Sequence, residues 1–243
     1  MRMITFAKRN FKEIIRDPLN LAFLFGFPVV LLLLLSAIQA NIPISLFELE
    51  HLAPGIMVFG LAFMTLFSAT LISKDRQSSF MHRLYTTPMT SMDFILGYTL
   101  PLIPIAIAEG IVCYIFAWIL GLQFSANILL SIVFIFPVAL LYIGIGLLCG
   151  SVLNDKQVGG ICGALLTNLS AWLSGIWFDL DLVGGAFKTV SYMLPFVHAV
   201  EMERAIVLGN FANMLGHLLW VLGYAIVLIA VAIFLFLRQM KKQ

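Results

Sequence analysis

The chain has 243 residues, of which 62% are hydrophobic and only 11% charged, with a formal net charge of +2. Soluble domains carry about 25% charged residues, so the composition excludes a water-soluble globule and predicts an integral membrane protein. Its cations are gathered into a few short segments rather than spread over a face, which argues against a nucleic-acid-binding surface.

Residues 1–18 come first, as an arm. Ile4, Ala7, Phe11, Ile14 and Ile15 fall on one helical face, and Lys8, Arg9, Lys12, Glu13 and Arg16 on the other. This is the pattern of an amphipathic helix lying along headgroups, stopped at Asp17-Pro18. It either anchors the chain or docks a partner.

Residues 19–243 then form one helical domain. Runs of roughly 20 apolar residues can cross a hydrocarbon core. Six such runs occur, at 19–40, 52–73, 94–120, 128–153, 158–178 and 214–237. They are continuous rather than alternating, so no β-barrel is expected. The first is too long for a signal-peptide core, and no cleavable signal is expected. Pro28, Pro101, Pro104 and Pro137 predict kinks or local unwinding. Gly144, Gly146 and Gly150 in the fourth run, with Gly159, Gly160 and Gly163 in the fifth, predict close helix–helix approach.

Twelve of the 14 Lys and Arg residues sit in the arm, the second connection, the fourth connection and the tail; only Lys188 and Arg204 lie in the longest remaining loop. The positive-inside rule therefore places both termini in the cytoplasm, in agreement with an even number of spans. The second connection, 74–93, is a polar island in which Phe80, Met81, Leu84 and Tyr85 recur at helical spacing beside Lys74, Arg76, His82 and Arg83. Pro88 ends that helix. Such a helix either holds a protein partner or lies on anionic lipid. The external segment 179–213 predicts two short helices, at 183–193 and 195–208, joined at Pro195 and re-entrant or surface-lying.

No phosphate-cradling GxxxxGK[ST] loop occurs, so the chain does not hold ATP by itself. Cys113, Cys149 and Cys162 all lie in apolar runs and read as buried small residues, with neither disulfide nor metal implied. The four histidines are spread along the chain, which argues against a metal centre. Ser174 with His198 or His217 is the one arrangement that suggests an intramembrane hydrolase; a hydroxyl there more often bonds its own backbone. A non-transporting sensor or scaffold is the other alternative. Glu109 is the one ionisable group deep in a run. It either lines a path or relays protons, or it is protonated and hydrogen-bonded to a neighbouring helix.

The run from Lys74 through Leu84-Tyr-Thr-Thr-Pro88 resembles the charged stretch of type-2 ABC exporter permeases, although Arg76-Gln-Ser-Ser79 stands where that family commonly has Glu-x-Gly-Thr. Leu173-Ser-Gly175-Ile-Trp-Phe178, then Leu194-Pro195 and Glu201-x-x-Arg204, is similar to its fifth-span exit and external hairpin. The likeness covers nearly the whole chain. It implies an all-α protein of six spans in the plasma membrane of a bacterial cell, paired with an identical or paralogous permease. It also implies two separate ABC ATPase subunits that carry ATP and Mg. The ATPase would dock through Arg76, Phe80, Arg83, Leu84, Tyr85 and Pro88, while Glu109, Gly175, Phe178 and Pro195 would belong to a path or gate. The cargo implied is hydrophobic or amphipathic, such as a drug, a peptide antibiotic or a lipid, which would give multidrug or antibiotic resistance.

Overall fold

The computed structural model describes residues 2–43, 47–78 and 90–240. Among these, every regular element is helical. The arm is α1, Arg2–Ile15. Asp17 accepts a hydrogen bond from the Asn20 amide, and Pro18 opens the next helix, where its missing N–H costs nothing. That helix, α2, spans Pro18–Gln39. A π-helical turn, Ala22–Gly26, precedes Phe27-Pro28. It absorbs the carbonyl that the Pro28 ring would otherwise strike.

The following helices are α3 at Leu49–Gln77, α4 at Ser91–Thr99, α5 at Leu102–Ile119 and α6 at Ala126–Val152. Thr90 and Asp93 form a reciprocal capping box that starts α4. Residues 100 and 101 separate α4 from α5 at the expected proline break, and Pro104 is tolerated in the first turn of α5. Helix α6 runs unbroken through Pro137.

Asn154 and Gln157 form a second capping box that starts α7. This helix runs from Asp155–Val158 through a π segment, Gly159–Leu166, to Thr167–Trp172. One-turn α8, Leu180–Val183, ends at Gly184, whose φ of +62° suits glycine alone. Then come α9, Gly185–Met193, α10, Pro195–Val207, and the long α11, Phe211–Met240. The hairpin divides where the sequence predicts: Leu194, preceding Pro195, is extended.

Among the described residues, five helices are long and apolar enough to cross a membrane: Pro18–Gln39, Leu49–Gln77, Met92–Ile119, Ala126–Val152 and Phe211–Leu235. The expected fifth run, 158–178, is not among them. Its helix starts on the polar Asp155, Lys156 and Gln157 and gives way to turns and bends after Trp172, which leaves too short an apolar length. Helix α3 is the axis of the bundle: 89% of its most apolar stretch is buried, against 22% for α2 and 17% for α11. It packs on α2, α5, α6, α7 and α10.

The glycines separate into two groups. A Cβ at Gly150 would sit 2.8 Å from the Ala69 carbonyl, and one at Gly146 2.6 Å from the Thr65 carbonyl, so α3 and α6 touch backbone to backbone. Gly159 and Gly160 have no heavy atom within 4 Å of such a Cβ, so the expected close approach fails there.

Candidate functional site

At the end of the bundle that carries the arm, three residues of α3 fan out to four neighbouring helices. Asp75 is buried and takes both forks of Arg9 from α1, at 2.6 and 2.9 Å. The Tyr98 hydroxyl of α4 donates to it as well, at 2.9 Å. Three donors on one carboxylate compensate the cost of its burial. Arg76 donates to the carbonyls of Gly150 at 2.6 Å and Leu153 at 3.3 Å, capping the C-terminus of α6, where a cation is favoured. The Ser73 hydroxyl lies 3.5 Å from Asp155 at the start of α7.

The arm is seated by packing too. Phe6 meets Tyr98 edge-on at 5.0 Å and fills a notch left by Gly97, where any Cβ would collide with its ring. Asn10 donates to the Gly97 carbonyl at 3.0 Å.

This fan stands at the entrance to the second connection. Of the residues expected to dock an ATPase, Arg76 is engaged with α6. Phe80, Arg83, Leu84, Tyr85 and Pro88 lie outside the described residues. The described chain on either side is tied down, by Ser78 onto the Asp75 carbonyl and by the Thr90 capping box.

Mid-bundle, Glu109 of α5 is buried and packs on Gly60 of α3, the glycine that Pro28 of α2 also approaches. The Cys113 thiol donates to its Oε1 at 3.4 Å, while Oε2 has no partner among the described residues. Glu109 is not alone. Glu203 of α10 is also fully buried and accepts from the Ser131 hydroxyl of α6 at 2.5 Å; Ser131 in turn lies 2.6 Å from the Tyr114 hydroxyl of α5. Burial pushes the Glu203 carboxyl up to about 8, opposed by the Ser131 bond. Charged Glu201 and Arg204 beside it give this stretch the look of a solvated surface helix. The signal that finds Glu203 is its place on the apolar stripe Phe196, Val200, Glu203, Ile206.

At the opposite end, Gly175 has a φ of +72° and its carbonyl accepts from Arg204 at 3.1 Å. The same guanidinium donates to the His51 carbonyl at 3.1 Å and pairs with Glu201 at 2.9 Å. Phe178 is partly exposed and tilts against Phe187 at 6.1 Å. Pro195 is buried at the start of α10. Arg204 thus brings Gly175 to the helix that Pro195 opens, whereas Glu109 packs on α3 elsewhere. The Ser174 hydroxyl donates to the Ala171 carbonyl of its own helix at 2.9 Å. His198 is engaged with His217 and the Tyr192 carbonyl. Neither histidine is paired with Ser174.

No curated protein matches the chain. The family described as ABC-2 type transporter matches over residues 1–208. An apolar helical bundle with a seated amphipathic arm, matched over that length, is the permease component of a type-2 ABC transporter: the chain belongs to the ABC-2 type transporter family.

Proposed function

We propose that this permease exports a hydrophobic or amphipathic cargo, driven by two separate ATPase subunits that bind ATP and Mg and dock on the connection 74–93. The observation that carries the proposal is the fan at Ser73, Asp75 and Arg76. A push on that connection is delivered at once to α1, α4, α6 and α7 rather than dissipated in a loose loop. A bistable bundle biased by a ligand on another chain requires such a stiff attachment.

The arm end faces the cytoplasm in this reading. Lys8, Arg9, Lys12, Arg16, Lys74, Arg76, Lys156 and Arg238 gather at that end, and Lys188 and Arg204 at the other. Helix α7 and the bends after it complete a sixth span, while α9 and α10 form a re-entrant hairpin; the burial of α10 against α3, α6 and α11 supports this. Two permeases, identical or paralogous, enclose the path, and Gly175, Phe178 and Pro195 sit at its outer mouth. The apolar bundle suits a drug, a peptide antibiotic or a lipid.

Glu introduced at both Phe80 and Leu84 tests the docking. The variant is expected to insert into membranes normally, to lose co-purification with the ATPase, and to abolish ATP-dependent efflux. Undiminished co-purification overturns the assignment.

A further inference from the structure

A pair of histidines that the transport reading does not use joins the hairpin to α11. The Nδ1 atoms of His198, on α10, and His217, on α11, lie 2.8 Å apart. The other nitrogen of His198 is 3.0 Å from the Tyr192 carbonyl, at the end of α9. A carbonyl only accepts, so His198 Nε2 carries a proton. In the neutral ring Nδ1 is then the acceptor, and the bond runs from His217 Nδ1–H to His198. Trp220 stacks on His198 at 4.8 Å and 14°, and its neighbour Tyr224 donates to the Met193 carbonyl at 2.6 Å. A surface hollow of about 490 Å³, walled by Trp220, Gly223 and Tyr224, opens beside the stacked pair.

Counting protons on the pair gives three states. With none added, His217 donates to His198. With one added, His198 Nδ1–H donates and His217 switches tautomer to accept, so the bond survives, and the Trp220 face favours the cation. With two added, both Nδ1 atoms carry hydrogen and two positive charges meet at bonding distance. The tie is then lost, because His198 has no other acceptor site free.

We propose that His198 and His217 are a proton-operated latch, closed with zero or one added proton and opened by the second, which releases the hairpin from the last long helix. The groups around it do not cancel this effect. On α10, Glu201 favours charge on His198 but is itself paired with Arg204, and Glu203 points to Ser131. On α9, Lys188 sits over Tyr192 and is paired with Asp181 of α8. Helix α11 contributes Tyr224, hydrogen-bonded to Met193. From α3, the His51 carbonyl is held by Arg204, and Glu50 shares the first turn. From α6 the Tyr142 ring stacks on Phe196. Burial holds His198 below the ordinary histidine range, so the latch opens on the acid side of about 6.5. Sign and pH agree: a depressed histidine contributes stability at higher pH that is lost as pH falls.

The test is backbone hydrogen exchange on the full chain in lipid nanodiscs between pH 5 and 8, with protection corrected for intrinsic exchange. It reads neither transport nor ATPase activity, so it stands apart from the export proposal. Protection of α10 and of residues 211–220 is expected to stay level at the alkaline end and then fall by about tenfold per pH unit, the slope for one proton. In His217→Asn the amide can donate or accept, and that fall should vanish. Should that variant misfold, ¹⁵N-histidine NMR of the wild type still decides. A coupling across the Nδ1 pair that is present at pH 7.5 and lost at pH 5 supports the latch. Level protection in the wild type, an unaltered fall in His217→Asn, or two independent titrations near 6.5 with no coupling each overturns it.

Discussion

Arg9 and Asp75, 66 residues apart, are joined by two hydrogen bonds of 2.6 and 2.9 Å, so the amphipathic arm is clasped to the end of the central helix next to the second connection. The arm is therefore held by the bundle itself, beside that connection. Its exposed cations Lys8, Lys12 and Arg16 remain directed outward from that clasp.

Asp75→Asn should loosen this end. Removing one partner of a charged hydrogen-bonded pair costs about 2 kcal/mol when the other partner is half-exposed, as Arg9 is. A lower melting temperature and faster proteolysis of the arm are expected. The exchange Arg9→Asp with Asp75→Arg should recover part of the loss, and no recovery would show that the bond is incidental.

Gly150→Val should be severe. Its side chain would meet the Ala69 backbone at 2.8–2.9 Å, with no flexible neighbour to yield, so a loss of about 3 kcal/mol is expected in denaturant unfolding. Gly160→Ala is the control. It meets nothing within 4 Å and should be neutral or slightly stabilising.

Glu203 makes stability depend on pH. Its folded value, about 8, lies above the usual 4.5, so the folded state keeps a proton that the unfolded chain gives up. The contribution is whole below about pH 4.5 and is lost as pH rises through 8. Wild-type melting temperature should fall between pH 6 and pH 9, and Glu203→Gln should flatten that slope while keeping an oxygen for Ser131. An unchanged slope would place the proton elsewhere.

Glu109→Met separates structural from transport roles. An apolar side chain of similar length removes a buried oxygen that has no partner among the described residues, which is neutral or worth about 1 kcal/mol of added stability. Thermal stability should hold, and efflux in vesicles should fall if the carboxyl serves the path. Destabilisation would show that the carboxyl is bonded in the assembled transporter.

Much of this architecture follows from local properties that the sequence by itself determines. Runs of apolar residues long enough to span lipid predict the helices; the α region is disfavoured before a proline, which at Leu194 splits the hairpin; and the spacing at 2–16 predicts α1. What only the tertiary structure decided is which helices meet. Gly150 and Gly160 look alike in sequence, but only the first faces α3. Glu203 stands among charges in the predicted external segment and is a buried carboxyl bonded 72 residues away. Arg76 stands in the charged stretch at the second connection, and only the fold shows it capping α6. Hydrogen-bond partners and backbone contacts are properties of neighbours distant in the chain, and hydropathy and periodicity hold no record of them.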